Sequence, residues 1–172
     1  LSQRYGFQTA FRRPDTLKGM IDGVKIDCIA HKYAYLRQPY AESGIRLYSI
    51  EDIVAMKLSA IADDGSRLKD FVDIACLSTR IPFYEMLKCY ERKFPQANVI
   101  RPFKALTYFD DIDFGEDIVM LNFEYDWKQI ARRLKEMTVR QEHIFSQWPL
   151  KEQKRPVAED KDTTSMKRGR KR

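Results

Sequence analysis

One lysine and two aspartates in the middle of the chain are the residues best suited to chemistry. Lys57 lies within an apolar run, and Asp70 and Asp73 follow it, three residues apart, in the segment RLKDFVDI. Two aspartates at that spacing are neighbours on a helix and repel each other unless a cation compensates them. Lys57, Lys69 or Arg67 could supply that charge. The group would act either as an ion-pair link between two helices or as a phosphate and metal site.

The environment of Lys57 leaves two alternatives for its ammonium group. A lysine amid apolar residues either extends its charged end to solvent or is held by an anion. The pattern around Lys57 alone favours the first alternative. The two aspartates that follow favour the second.

Asp27 is a further candidate, because it lies in the middle of a predicted strand. Val24, Ile26 and Cys28 share one face of that strand, so Asp27 points to the other. A carboxylate there costs stability when its face is covered. We therefore expect Asp27 either to face solvent or to bind a cation.

Two other patterns resemble metal or nucleotide sites but favour simpler interpretations. Asp111-Ile112-Asp113 has the DxD spacing, yet it follows a predicted helix and lies in an acidic stretch that we interpret as a loop. Gly65-Ser66 fits the end of one helix and the N-cap of the next. The sequence contains no P-loop, GxGxxG, HExxH or nucleophile-elbow pattern.

The elements that must position these residues are a hairpin and several helices. Residues 16–30 predict a β-hairpin around an Asp-Gly turn. Ser49 predicts the start of a helix over 50–62 that carries Lys57, and Ser66 the start of another over 67–79. On this second helix we expect Asp70 and Asp73 opposite the core face. Further helices are expected from Pro82, around 102–108, and after Asp126, the last with Ile130, Leu134 and Met137 inward.

Composition and charge exclude several classes of protein. The 172 residues are 44% hydrophobic and 12% aromatic, which suffices for one domain with a core. No apolar run approaches the roughly 20 residues of a membrane span, and the first 20 residues do not have the pattern of a signal peptide. The three cysteines are widely spaced, which indicates a reducing cytosol rather than disulfides or zinc.

The basic charge is concentrated at the C-terminal end. Residues 151–172 hold nine basic and four acidic residues, and so carry most of the net charge of +6. We predict that this tail is disordered. Its end, MKRGRKR, could contact phosphates nonspecifically, although a solvated tail is the interpretation we favour.

Three segments then show a resemblance to a known family. GVKIDCIAH, GIRLYSIEDIVAMKLSAIADDGSRLKDFVDIACL and ALTYFDDIDF resemble, in this order, the C-terminal two-thirds of AbiEii/AbiGii-type nucleotidyltransferases. These are abortive-infection toxins of bacterial type IV toxin–antitoxin systems. The resemblance spans roughly residues 5–138 and is most specific over 44–77.

The family resemblance implies an α+β fold. Its first part would be the remnant of a polymerase-β-like nucleotidyltransferase sheet, seen here as the β-hairpin, and a helical half would follow. The implied boundaries are 1–48 for the partial sheet region, 49–148 for the helical domain and 149–172 for the disordered basic tail.

The resemblance also implies roles for the same side chains. Asp27 matches an acidic position that takes part in catalysis and metal binding. Lys57 matches a lysine that would neutralise the phosphates of a nucleotide, and Lys69 matches the lysine of a Lys-Asp pair. Together with Arg67, a candidate from the residues alone, we expect Lys69 to bind the nucleotide as well. Asp70 would be a second catalytic or positioning carboxylate.

The function implied by the resemblance is metal-dependent transfer of a nucleotide from a nucleoside triphosphate (NTP) to an acceptor, such as transfer RNA. Asp73 would then fix the surrounding charge network. Two Mg²⁺ ions would assist the transfer. A cognate antitoxin from a neighbouring gene would be the partner, and the bacterial cytoplasm the compartment.

One departure from the family pattern limits this expectation. The family's Gly-Ser turn and DxD strand precede the position of Asp27, and neither occurs in this sequence. We therefore expect a fragment without the main metal-binding half, unable to transfer nucleotides by itself. The alternatives are a noncatalytic module that binds an antitoxin or nucleic acid, and a helical domain with a purely structural Lys–Asp cluster.

Overall fold

Short antiparallel strands make up most of residues 2–47. The computed structural model describes residues 2–115 and 117–153. A short helix, α1 (Ser2–Tyr5), precedes a three-stranded sheet in the order β1-β2-β3. Its strands are β1 (Gln8–Arg13), β2 (Thr16–Ile21) and β3 (Val24–Ile29). A second, two-stranded hairpin follows, formed by β4 (Tyr40–Glu42) and β5 (Ile45–Leu47).

The predicted hairpin over 16–30 is confirmed by strands β2 and β3. Asp22 and Gly23 form the turn with positive φ angles of 49° and 79°. Both residue types tolerate this left-handed conformation, which the favoured two-residue hairpin turn requires. Most residues of β3, Asp27 among them, are exposed.

Helices dominate the part of the chain from residue 50 to residue 153. It consists of α2 (Ile50–Asp63), α3 (Leu68–Leu77), α4 (Phe83–Lys93), α5 (Ile100–Ala105) and α6 (Trp127–Val139). The strands β6 (Phe123–Tyr125) and β7 (Leu150–Glu152) pair antiparallel on either side of α6 in the sequence. Helices and antiparallel hairpins together confirm the α+β class.

Two of the three predicted polar N-caps are confirmed, and α4 begins one residue after the predicted Pro82. Ser49 is the N-cap of α2, and its hydroxyl accepts a hydrogen bond from the Asp52 N–H. Asp126 caps α6 in the same way. The prediction of Ser66 as the cap of α3 was wrong, because the N-cap is Arg67. The backbone carbonyl of Ser66 instead accepts from the Asp113 N–H, at 2.8 Å.

The C-terminal tail was predicted to begin too early. Residues 150–152 form β7 rather than disordered chain. Two features explain this: Leu150 packs against the core, and the strand forms a ladder with β6. The remainder of the predicted tail, 154–172, lies outside the described residues.

The core lies between the helices. α2 packs on α3, α4 and α5, and α3 packs on α6. The predicted inward residues of α6, Ile130, Leu134 and Met137, are all buried. Over the described ranges, no helix is both long and apolar enough to span a membrane.

Candidate functional site

Lys57 is held by two carboxylates rather than extended into water. Its Nζ lies 2.7 Å from Asp70 Oδ1 and 2.6 Å from Asp73 Oδ2. α2 supplies the lysine and α3 supplies both aspartates, so the ion pairs join the two helices. We call Lys57, Asp70 and Asp73 the Lys57 cluster. The anion-held alternative for this lysine is therefore confirmed.

The three side chains of the Lys57 cluster differ in their access to solvent. Asp70 is only 3% exposed, Lys57 27% and Asp73 48%. We had expected Asp70 to lie on the face of α3 opposite the core. That expectation was wrong, because α3 packs on both α2 and α6 and the α2 side covers Asp70.

The electrostatics keep Lys57 charged. Burial acts to lower its pKa, but hydrogen bonds and charges of Asp70 and Asp73 outweigh burial and raise it. Arg67 adds a second cation, since its Nη1 lies 3.6 Å from Asp70 Oδ2. Lys69 is half-buried on the first turn of α3. The structure thus places Lys57, Arg67 and both aspartates in one charge network.

Asp27 lies in a different setting. It is exposed on β3 and faces Lys18 of β2, with 3.6 Å between Lys18 Nζ and Asp27 Oδ2. It also lines a broad cavity of about 770 Å³ along the sheet. Within 2–115 and 117–153, no hydrogen bond or ion pair joins Asp27 to the Lys57 cluster. Asp27 therefore faces solvent beside Lys18, and its role as a metal ligand stays a prediction.

The described residues alone do not complete a magnesium site. Mg²⁺ takes six oxygen ligands, usually one or two carboxylates with phosphates and water. Asp27 offers a single carboxylate that already faces Lys18, and the ammonium of Lys57 lies between the carboxylates of Asp70 and Asp73. In the part of the chain that the structure describes, no group of three His, Cys, Asp or Glu side chains could hold a metal.

The Asp111-Ile112-Asp113 pattern has the loop role that we inferred. Asp113 Oδ1 accepts a hydrogen bond from the Gly115 N–H at 2.8 Å, and Ile112 is buried in the core. An aspartate that binds the backbone two residues ahead is typical of a turn.

Sequence reasoning missed a second lysine–aspartate pair. Lys93 Nζ lies 2.7 Å from Asp52 Oδ1, and both side chains are fully buried. Asp52 also accepts hydrogen bonds from the Ser49 hydroxyl and from the backbone N–H groups of Leu36 and Arg37. Burial would raise the pKa of Asp52, but Lys93 and these donors outweigh it and lower the pKa to about 2. A lysine on the apolar face of α4, between Tyr90 and Phe94, was the signal that could have revealed it.

Comparison with known proteins identifies the family. The model of the nucleotidyl transferase AbiEii toxin of type IV toxin–antitoxin systems matches residues 24–151. The chain belongs to the AbiEii family. The match includes β3 with Asp27, α2 with Lys57 and α3 with Asp70. It confirms the resemblance found in the sequence.

One relative of this AbiEii-family chain is an uncharacterized protein of Aquifex aeolicus (strain VF5). The two are 29% identical over 129 residues, which cover 73% of this chain and 61% of the relative. The chain therefore spans less than two thirds of the length of the curated relative that it matches. No solved structure matches the chain.

Proposed function

We propose that this AbiEii-family chain contributes to nucleotide transfer from an NTP to an acceptor, and that Lys57 binds the phosphates. The observation that carries the proposal is the partly exposed side chain of Lys57, whose ammonium is held charged between Asp70 and Asp73 in a family of nucleotidyltransferase toxins. A lysine at the triphosphate stabilises the negative charge that moves to the leaving group.

The different exposures within the Lys57 cluster suggest how a ligand would enter. Phosphate oxygens would take the place of the half-exposed Asp73 on the ammonium group. The buried Asp70 would keep its own bond to Lys57 and so hold the lysine in position. Arg67 and Lys69, at the start of α3, would add positive charge for the nucleotide.

The proposed activity depends on Mg²⁺, on an acceptor molecule and on the antitoxin as partner. Asp27 would supply one metal ligand, and the described residues do not supply the others. We therefore propose that the 172-residue chain does not transfer nucleotides by itself. The acceptor would be transfer RNA or another macromolecule, the partner a cognate antitoxin, and the compartment the bacterial cytoplasm.

A noncatalytic role is the second candidate. The chain would then bind an antitoxin or nucleic acid, for which residues 151–172 carry most of the net positive charge. The lack of a metal-ligand group among the described residues favours this candidate.

Nucleotide binding by Lys57→Met tests the phosphate role. Each of the four NTPs is titrated calorimetrically into the 172-residue chain. We expect Lys57→Met to weaken binding by about tenfold or more, because a hydrogen bond to a charged group is lost. The control is Lys88→Met, which removes an exposed lysine paired with Glu85 at 3.0 Å and should leave binding unchanged.

Two results would contradict the proposal for Lys57. One is equal NTP affinity in the Lys57→Met variant and the parent chain. The other is a parent chain that binds no NTP, which would favour the noncatalytic role. A separate assay tests whether the chain is inactive by itself. The chain is incubated with Mg²⁺, each labelled NTP and RNA or protein, and any labelled acceptor would show that the chain alone transfers nucleotides.

A further inference from the structure

Besides the cavity along the sheet, a cavity lined mainly by polar side chains lies between α6 and the segment that follows it. Its volume is about 360 Å³, within the range of roughly 300–1,000 Å³ usual for ligand pockets. No member of the Lys57 cluster lines it. We call it the arginine cleft, and the residues that matter here are Arg132, Arg133, Glu136, Arg140, Phe145 and Trp148.

The arginine cleft carries more positive than negative charge. Its single acidic side chain, Glu136, is already paired, with 2.6 Å between Glu136 Oε1 and Arg140 Nη1. Arg132 is exposed and makes no ion pair within the described ranges. Burial lowers the pKa of Arg133; the charge of Glu136 opposes this shift, and the like charge of Arg132 adds to it. An anion in the cleft would relieve this repulsion.

Arg133 is fixed in place by neutral groups. Its Nη1 donates to the Ser78 hydroxyl and its Nη2 to the Gln147 carbonyl, both at 2.9 Å. Its guanidinium lies 4.2 Å from the centre of the Phe145 ring. These contacts orient the guanidinium and use only two of its five N–H donors. Within the described ranges no carboxylate forms an ion pair with Arg133, although the charge of Glu136 acts on it at longer range. The cleft is therefore positioned for an anion before any ligand arrives.

Trp148 gives the cleft an aromatic surface. The residue is 47% exposed, although it lines the same cavity as the arginines. An exposed indole ring next to cationic side chains is the combination that binds nucleotides, because a base stacks on the ring while the phosphate meets the cations. A carboxylate ligand would use the arginines but not this ring.

We propose that the arginine cleft binds a nucleotide, with its phosphate on Arg132, Arg133 and Arg140 and its base on Trp148. The nucleotide is either free or part of a single-stranded nucleic acid, since both present the same phosphate and base. The inference does not rest on the phosphate role of Lys57, because the two sets of residues are separate.

Binding of three probes by the 172-residue chain tests the proposal. The probes are adenosine monophosphate, inorganic phosphate and a short single-stranded oligoadenylate. We expect Arg132→Gln and Arg140→Gln each to weaken binding of all three by about tenfold. Trp148→Ala should weaken adenosine monophosphate and oligoadenylate but not inorganic phosphate. Arg92→Gln, an equal loss of charge at an exposed position on α4, is the matched control and should change nothing.

The outcomes separate the nucleotide source and the two proposed sites. Tighter binding of oligoadenylate than of the monophosphate, lost in the cleft variants, supports the inference with nucleic acid as the source. Tighter binding of adenosine monophosphate than of oligoadenylate, lost in the cleft variants, supports the inference with the free nucleotide as the source. Failure of the parent chain to bind either nucleotide overturns it, as does equal weakening in Arg132→Gln and Arg92→Gln. Loss of binding in Lys57→Met alone also overturns it and leaves the Lys57 proposal standing.

Discussion

Two lysine–aspartate pairs connect neighbouring helices, and they differ in their access to water. Both have a nitrogen–oxygen distance of 2.7 Å. The pair of Lys93 and Asp52 is fully buried between α4 and α2. Lys57 and Asp70, between α2 and α3, share their network with the half-exposed Asp73. The bond lengths are equal, so the surroundings decide what each pair can do.

The difference suggests that the buried pair stabilises the fold and that the Lys57 cluster is the one suited to ligand binding. Asp52 accepts hydrogen bonds from Leu36, Arg37 and Ser49, and Lys93 donates to the Ala34 carbonyl. The buried pair thus attaches the segment before β4 to the helices, and no ligand can reach it. In the Lys57 cluster, Asp73 and part of the Lys57 side chain are accessible, which is what the proposed exchange of Asp73 for a phosphate requires.

Asp52→Ala should have the largest effect on stability. The change leaves the Lys93 ammonium buried without its carboxylate and removes the acceptor of three hydrogen bonds. We expect the free energy of unfolding, measured in urea, to fall by about 3–5 kcal/mol. Glu51→Ala is the control, because Glu51 pairs with the exposed Arg37 and should cost at most about 1 kcal/mol. Equal losses would remove the distinction between buried and open pairs.

The buried pair should also make stability depend on acid pH. The pKa of Asp52 is about 2 in the folded chain, below the ordinary 3.8 of aspartate, so folding favours the ionised carboxylate. The contribution is present above the unfolded pKa and is lost as the pH falls through the folded one. It should amount to about 2 kcal/mol.

Urea unfolding at a series of pH values from about 5 to 2 measures this contribution. The parent chain should lose it across that interval, and Asp52→Asn, which cannot titrate there, should show a shallower decline. Parallel pH profiles for the two chains would refute the assignment to Asp52.

The comparison also shows what the sequence could predict. The local signals were sufficient for the hairpin turn at Asp22-Gly23 and for the caps at Ser49 and Asp126. They also required a cation near the two aspartates of α3, although they did not select Lys57 for it. Each depends on residues close in the sequence or on a charge that needs a counterion. Such requirements can be read without knowing how the helices pack.

The features that the sequence did not predict depend on tertiary packing. Asp70 is buried because α2 covers a face of α3 that looks polar in the sequence. Lys93 and Asp52 are 41 residues apart, and only the packing of α4 on α2 brings them together. Arg133 likewise meets Ser78 and Gln147 through the packing of distant segments. No local rule identifies such partners.

Lys57→Met should cost less stability than Asp52→Ala. The substitution removes the principal partner of Asp70, but Arg67 remains 3.6 Å from that carboxylate and water reaches the cluster. We expect a loss of about 1–3 kcal/mol in urea unfolding. Adding Asp70→Asn should recover part of it, because the uncompensated charge is gone. A loss as large as that of Asp52→Ala would show that solvent access does not set the cost.

Asp73→Asn should have the smallest effect on stability and separates structure from ligand binding most clearly. Asp73 is half-exposed, so the loss in unfolding free energy should stay below about 1 kcal/mol. The same change removes a negative charge that competes with phosphate for the Lys57 ammonium, so NTP affinity should stay the same or rise. Calorimetric titration measures it, with Asp63→Asn as the control, since Asp63 pairs with Arg101 at an exposed site. A fall in NTP affinity specific to Asp73→Asn would mean that Asp73 itself serves the nucleotide, because loss of a competing carboxylate cannot weaken an anion's binding.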